Sequence, residues 1–167
     1  GVQPCALPIY ATGAELLGAR RADDPYAGLG GGDCLVLVDV EPSAVPAAAR
    51  SAAGAVVYLG TADAAPLGAV AAALPLAMVS ECEGTLTNLR GRVQRFLQAK
   101  AAPGHAKPAW FAVADLLIAM GEPAPYLTAG DCFAAMASAS PAFAGLHFDA
   151  LALRGTVAPG AMAGAGR

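Results

Sequence analysis

The residues with distinctive chemistry concentrate in one stretch of this chain, from Glu81 to Phe96, within a sequence that is otherwise rich in alanine. Two carboxylates, Glu81 and Glu83, open the stretch, and three arginines follow at positions 90, 92 and 95. A carboxylate pair is suited to acid–base work, and an arginine cluster attracts anionic ligands. The surrounding sequence offers neither a hydrolase elbow at Ser80 or Cys82 nor a glycine-rich phosphate loop after a strand. We therefore predict no catalytic residues in this chain.

Glycines and turn-forming side chains give the same stretch a predicted shape. Asn and Gly favour hairpin turns, and Thr and Asn side chains bond nearby backbone groups. We expect positive φ angles at Gly84 and Gly91, where other residues would be strained. The predicted course is a loop at Cys82–Gly84, an extended piece at Thr85–Thr87, a turn at Asn88–Gly91 and a second extended piece at Arg92–Leu97.

The spacing of these residues resembles a family motif. The pattern Glu81-x-x-Gly84-Thr85-x-x-Asn88-x-x-Gly91-Arg92-x-Gln94 is similar to the E-x-x-G-T-x-x-N-x-E-G-R-x-Q segment of molybdopterin oxidoreductases, except that Arg90 stands where the family usually has Glu. Through Gln98–Gly121 the likeness extends to the large iron–sulfur subunit of bacterial NADH–quinone oxidoreductase, respiratory complex I. In all, the resemblance covers Asp33–Gly155.

This resemblance implies that the chain is a structural, C-terminal segment of that large iron–sulfur subunit. The complex passes electrons from NADH through iron–sulfur clusters to quinone at the cytoplasmic face of a bacterial inner membrane. The clusters are expected in a missing N-terminal part, so this segment would bind no cofactor and would contact other peripheral-arm subunits. The implied fold is α/β, part of a three-layer domain with short parallel strands, a hairpin after the motif and C-terminal helices. The residues with a structural role would be Glu81, Gly84, Thr85, Asn88, Gly91, Arg92 and Gln94.

Two other functions stay open. In a true molybdopterin enzyme, such as a formate dehydrogenase-like protein, the resemblance implies that Thr85, Asn88, Arg92 and Gln94 lie near the pterin or its phosphates. A free-standing α/β binding module is the third hypothesis. It predicts that the chain folds cooperatively by itself, although two or three parallel strands would leave sheet edges unpaired.

Composition excludes several classes of function. A formal charge of −3 gives no basis for nucleic-acid binding. The uncharged run Ala64–Ser80 contains two prolines and a glycine and is too short to span a membrane as a helix. The histidines and cysteines lack metal-ligand spacing, and no C-x-x-C occurs, so we predict no metal site. These residues are His105, His147, Cys5, Cys34, Cys82 and Cys132.

The domain prediction divides the chain into three parts. Gly1–Ile9 resembles the translation of a common sequencing adapter, so we interpret it as non-biological. Residues 10–155 are predicted to be a partial molybdopterin-oxidoreductase-like domain. The sequence is rich in Gly and Ala from Gly155 onward. Residues 156–167 are predicted to be a flexible tail.

Apolar runs and cap residues predict the elements before the motif. Together they form a βαβ arrangement with right-handed crossovers. Thr61 and Asp63 fall at the carboxyl end of the second strand, where α/β sheets tend to bind ligands. The alternative for Thr61 is that it caps the helix that follows. The predicted elements are a helix at Tyr10–Arg21, a strand at Cys34–Val40, a helix at Ala44–Ala53 capped by Ser43, a strand at Ala55–Gly60, a helix at Ala62–Ala73 and an extended piece at Leu74–Val79.

After the motif, two helices and a packing loop are predicted. Pro108 opens a helix that Gly121 ends, with Trp110, Val113, Leu117 and Met120 on its apolar face. Thr128 and Asp131 form a capping box for a helix reaching about Ser138, and the loop Pro141–Phe148 is expected to pack back. The basic residues of 90–107 have two interpretations: a surface for an anionic ligand or acidic subunit, or a solvated hairpin edge.

Overall fold

A computed structural model describes residues 13–18, 22–151 and 154–164. The chain divides into two compact units. The first contains Asp23–Cys82 and Ala99–Ala124, and the second contains Glu83–Gln98 and the residues from Pro125 onward, with 13–18. The adapter-like Gly1–Ile9 lies outside the described residues. Of the predicted helix Tyr10–Arg21 only 13–18 are described, and 13–16 are helical.

The first unit is built on a parallel sheet. Its strands are β1 (Cys34–Val38), β2 (Ala55–Gly60) and β3 (Ala72–Pro75), in the order β1-β2-β3. All are parallel, with Leu37 opposite Tyr58 and Leu59 opposite Leu74. The two apolar runs thus form strands that pair with each other, as expected. Burial on both faces, which such runs predict, holds for β2 but not for β1, where Val36 and Val38 are exposed.

Apolar side chains cover both faces of the central strand. On one face, Val56 and Tyr58 pack with Leu37, Val45 and Leu67. On the other face, Leu59 packs with Leu76 and with Ala112 of the helix α2 (Ala109–Ala119). Because successive side chains of a strand point to opposite faces, this layering follows from the apolar run of β2. The predicted α/β class is confirmed.

The predicted helix Ala62–Ala73 is wrong. Only a 3-10 turn forms there, at Ala65–Leu67, and β3 already begins at Ala72. Gly68 has a φ angle of 77°, a left-handed conformation that ends the turn. A proline at position 66 also removes a backbone donor that a longer helix would need.

Ser43 does not cap a helix at Ala44–Ala53. It lies inside a 3-10 turn, Pro42–Ala44, and the helix α1 covers only Ala47–Ala52. The cause is Pro46, since a proline disfavours helical angles at the residue before it. Val45 accordingly has an extended ψ angle of 118°.

The second unit contains the predicted hairpin. Strands β4 (Gly84–Thr87) and β5 (Arg92–Phe96) are antiparallel. A short strand, β6 (Thr156–Val157), pairs with the other edge of β5, and the helix α4 (Pro159–Gly164) follows. Residues 156–164 are thus folded where the sequence predicts a flexible tail, because pairing with β5 satisfies the backbone groups of β6.

The helices after the motif largely match their cap signals. Helix α2 begins after Pro108 and ends before Gly121, which has a φ angle of 88°. Helix α3 (Ala129–Ala139) begins with the predicted capping box, and Phe143 and Phe148 after it are buried. The predicted apolar face of α2 is partly wrong, since Met120 is 70% exposed. That residue caps the helix end and lies beyond its last turn.

No helix among the described residues is both long and apolar enough to cross a membrane.

Candidate functional site in the Glu81–Gln94 motif

Glu81 is a buried carboxylate that contacts Met78 and Lys100 in the first unit. It ends the 3-10 turn Val79–Glu81, and Oε2 accepts the backbone N–H of Met78 at 3.0 Å. Oε1 lies 3.0 Å from Nζ of Lys100; the Glu81 side chain is 5% exposed and that of Lys100 62%. The Met78 hydrogen bond, followed by Lys100, lowers the pKa of Glu81, so the carboxylate stays charged and fixes the turn.

The same turn joins the two ends of the segment 83–98. The carbonyl oxygen of Ser80 accepts the N–H groups of Ala99 at 2.9 Å and of Lys100 at 3.0 Å. These bonds and the Glu81–Lys100 ion pair all lie in the first unit. The chain therefore leaves and re-enters that unit at adjacent points.

Asn88 and Gly91 shape the hairpin turn. Oδ1 of Asn88 accepts the backbone N–H groups of Arg90 at 2.9 Å and Arg92 at 3.0 Å. The N–H of Gly91 donates to the carbonyl oxygen of Asn88 at 2.9 Å. Gly91 has a φ angle of 69°, which confirms the prediction for this position. Asparagine is favoured here because its side chain replaces a backbone acceptor in the turn.

The prediction of a positive φ angle at Gly84 is wrong. Gly84 is absent from the glycines with positive φ among the described residues, and it begins β4 instead of ending a loop. It lies opposite Phe96, and a Cβ at Gly84 would come within 2.9 Å of the Phe96 ring. The small residue is needed there for ring packing.

The side chains of Arg92 and Thr85 also face other parts of the second unit. One guanidinium nitrogen of Arg92 donates to the carbonyl oxygens of Gly155 at 3.1 Å and Arg154 at 3.4 Å. Thr85 lines a cavity of about 220 Å³ with Leu86 and other residues that are mostly apolar. Gln94 is partly buried in β5.

The basic side chains that predicted a positive surface are largely engaged. Arg95 pairs with Glu83 at 3.2 Å and with Asp149 at 2.8 Å, and its guanidinium lies 4.3 Å from the ring centre of Phe148. Lys107 lies 5.3 Å from the ring centre of Phe111. Glu83 and Asp149 therefore supply counter-charges that sequence spacing did not reveal, and they weaken the field available to an anionic ligand.

A second candidate site lies at the carboxyl end of the parallel sheet. A cavity of about 500 Å³ opens there, lined by Tyr58, Thr61, Asp63 and Glu81 among others. Thr61 donates its hydroxyl to Asp39 at 3.1 Å, so it does not cap a helix, and Asp63 accepts the N–H of Ala65 at 3.0 Å.

Two further residues at this edge, Asp39 and Tyr58, were not among the candidate residues predicted from the sequence. Asp39 directly follows β1 and is the one non-glycine residue with a positive φ angle, 51°, among the described residues. Such strain tends to occur at functional positions. Burial raises the pKa of Tyr58, and the charges of Asp39 and Glu41 add to the rise. The signal for Asp39 was a carboxylate placed immediately after an apolar strand.

At the carboxyl edge and in the hairpin, the groups described above give little support to a phosphate-binding site for a pterin cofactor. Asp39, Glu41 and Asp63 at the carboxyl edge would repel an anion, since like charges disfavour each other. In the hairpin, the amide oxygen of Asn88 and the guanidinium of Arg92 already bond to the backbone. The closeness of the motif to a pterin stays a prediction.

The cysteines and histidines within the described ranges form no cluster of ligands. Among the described residues, no group of three or more His, Cys, Asp or Glu side chains is placed to hold a metal ion. His105 and His147 are exposed. Cys34 is an exposed free thiol, and burial raises the pKa of the thiols of Cys82 and Cys132.

Comparison with known proteins gives two partial matches to one kind of enzyme. Over 84 residues, or 49% of the chain, it is 40% identical to the alpha subunit of F420-dependent formate dehydrogenase 2 of Methanococcus maripaludis. Over 78 residues, or 47% of the chain, it is 38% identical to a putative formate dehydrogenase of Bacillus subtilis. No family model matches the chain.

Both relatives are named as formate dehydrogenase proteins. Such subunits are members of the molybdopterin oxidoreductase family, so the resemblance has support at this level. Neither match supports the iron–sulfur subunit of NADH–quinone oxidoreductase specifically. The matched segments cover only 12% and 8% of the two relatives, so the chain spans about a tenth of their length.

Proposed function

We propose that this chain is a segment of a formate dehydrogenase-like molybdopterin oxidoreductase and that its Glu81–Gln94 motif acts as scaffolding. The 40% identity over 84 residues to a formate dehydrogenase subunit carries the proposal. The contacts of Glu81, Asn88 and Arg92 support the scaffolding role, because each of these side chains bonds to backbone groups of the fold.

Each motif residue has a mechanical task in this proposal. Glu81 fixes the turn at which the chain leaves the first unit, Asn88 sets the hairpin turn, and Arg92 holds β5 to the segment before β6. In cofactor enzymes the cofactor carries the redox chemistry and the protein supplies position and electrostatics. We therefore expect none of these side chains to react.

A second candidate is a segment of the iron–sulfur subunit of NADH–quinone oxidoreductase. The engagement of Asn88 and Arg92 with the backbone favours it equally, because such a subunit would use this fold without a pterin. Its partners would be peripheral-arm subunits at the cytoplasmic face of the inner membrane. Iron–sulfur clusters would then lie outside these residues.

The deciding experiment begins with the reading frame upstream of Tyr10 in the source DNA. The full-length protein, expressed anaerobically, is assayed for molybdenum, for fluorescent oxidised pterin and for formate oxidation. All three are expected. Iron–sulfur clusters without molybdenum, with electron transfer from NADH to quinone in the assembled complex, would replace this proposal by the second candidate. A start codon just upstream, with no further domain, would favour a free-standing module.

Variants separate scaffolding from cofactor contact. Arg92→Ala is expected to lower the yield of folded full-length protein while leaving the molybdenum content per folded molecule unchanged. Thr85→Ser serves as the matched control, because it keeps the hydroxyl and is expected to change neither quantity. A loss of molybdenum from well-folded Arg92→Ala protein would place this guanidinium at the cofactor and contradict the scaffolding role.

A further inference from the structure

Strand β1 lies at an edge of the parallel sheet, and half of its backbone groups face away from β2. The N–H of Asp39 donates to the carbonyl oxygen of Leu59 at 2.7 Å. In a parallel pair, residues that bond the neighbouring strand alternate with residues whose N–H and C=O groups face the other side. The outward residues are therefore Cys34, Val36 and Val38, and in the described part of the chain no backbone bond to another element involves them.

The same three residues present apolar side chains on an open face. Val36 is 43% exposed and Val38 41%, although their register partners in β2, Val57 and Leu59, pack toward helix α2. Cys34 is exposed on this face too, because side chains two residues apart share a face of a strand. Helix α2 thus covers the middle of the sheet and leaves the β1 side open.

This edge lacks the features that protect exposed edges. Soluble proteins place charges, prolines or bulges on edge strands to prevent pairing with other chains. The sequence of β1, Cys-Leu-Val-Leu-Val, contains none of these residues. A continuous apolar run is typical of an interior strand of a parallel sheet that is covered on both faces.

We propose that the outer edge of β1 is an interface for a parallel β-strand rich in apolar residues, which comes from the parent polypeptide beyond these 167 residues. The proposal rests on the proposed function, because the matched segments make up only 12% and 8% of the two relatives and a parent of that kind has ample chain to supply the strand. A parallel direction is favoured since all three strands of this sheet are parallel.

The rate at which the Cys34 thiol reacts with a maleimide can report whether this interface is covered. A Cys5→Ser variant removes the thiol that lies outside the described residues, and maleimide labelling is followed at each remaining cysteine by mass spectrometry. In the 167-residue chain, Cys34 is expected to label before the partly buried Cys82 and Cys132. In the native full-length protein, Cys34 is expected to label at least about tenfold more slowly than in the same protein in urea. The second comparison holds even where the shorter chain does not fold.

A conservative variant gives an independent measurement. Val36→Thr keeps the β-branched shape but adds a hydroxyl, which is costly only where the side chain is buried. It is expected to lower the melting temperature of the full-length protein and to leave that of the 167-residue chain unchanged. Leu89→Thr, at a hairpin position that is 67% exposed, is the control and is expected to be neutral in both.

The possible results are distinct. Rapid Cys34 labelling in the native full-length protein would overturn the proposal. Protection of Cys34 in the 167-residue chain that rises with concentration would also overturn it, by making a second copy the occupant. A full-length protein without molybdenum or formate oxidation but with a protected Cys34 would refute the proposed function and leave the interface standing.

Discussion

At Gly91, backbone angle and packing both require glycine. Its φ angle is 69°, and an added Cβ would collide with the Cβ of Ala161 in α4. We expect Gly91→Ala to lower the free energy of unfolding by more than about 1 kcal/mol, measured by urea titration. Gly104→Ala is the matched control, because its φ angle is 55° in open space and it reports backbone strain alone. Equal costs for the two variants would remove the contact with Ala161 from the explanation.

The single carboxylate of Glu81 makes the free energy of unfolding depend on pH. Its pKa is lowered in the folded protein, so its contribution is present above the unfolded pKa, about 4.3, and is lost as the pH falls through the folded value. Glu81→Gln should therefore show a smaller loss of stability between neutral and acid pH than the parent sequence. Chemical denaturation at a series of pH values measures this. The exposed Glu122→Gln is the control, and an identical pH profile for both variants would contradict the role of Glu81.

At the scale of elements, the capping box of helix α3 can be tested for its contribution to stability. The Thr128 side chain accepts the N–H of Asp131 at 3.1 Å, and Asp131 in turn accepts the N–H of Thr128 at 2.9 Å. Thr128→Ala is expected to cost about 1 kcal/mol of stability, whereas Thr128→Ser keeps the acceptor and should cost much less. Thermal unfolding of both variants decides between them. A serine variant as unstable as the alanine variant would assign the cost to packing.

Arg95 connects the hairpin to the turn that follows helix α3. It pairs with Glu83 and Asp149 and covers the ring of Phe148. We expect Arg95→Met to cost about 1 kcal/mol, because the ion pairs are partly exposed while the ring contact is shielded. Amide exchange in β4 and β5 should accelerate. Asp149→Asn removes only the more exposed ion pair and should have a smaller effect; the reverse order would contradict this account.

The sequence predicted elements well where local chemistry decides. The apolar runs of β1 and β2, the turn at Asn88 and Gly91, and the cap of α3 all depend on neighbouring residues. Predictions failed where distant contacts decide. The strand β6 forms because β5 has a free edge, and Gly84 is small because Phe96 packs on it. The helix predicted after Thr61 does not form, for a local reason. The many alanines of this segment favour a helix, but Gly68 has a positive φ angle that ends it.

The candidate site shows the same division. Spacing located the motif, and the roles of Asn88 and Gly91 in the turn follow from their own chemistry. The ion pair of Arg95 with Asp149 could not be predicted, because the two residues are 54 positions apart in the chain. Of the two interpretations of the basic residues, a surface for an anionic ligand is weakened, because Glu81, Glu83 and Asp149 pair with Lys100 and Arg95.

At the scale of the whole molecule, the two units offer a test of whether the chain is a complete module. Trp110 is the single tryptophan of the sequence and lies in the first unit. Because β1 leaves Val36 and Val38 exposed, the first unit is expected to be less stable in the 167-residue chain than the second. The fluorescence of Trp110 should then change at a lower urea concentration than the far-UV circular dichroism signal, which reports both units.

The full-length protein provides the comparison for this last prediction. With the edge of β1 covered, the fluorescence midpoint of Trp110 should move to higher urea, since burial of apolar surface stabilises the unit that contains it. Val38→Thr should reduce that shift, because its side chain is 41% exposed in the shorter chain and becomes buried only in the parent. Coincident transitions in the 167-residue chain, unchanged by Val38→Thr, would instead mean that these residues form one cooperative module, and the free-standing binding protein would then be the better account.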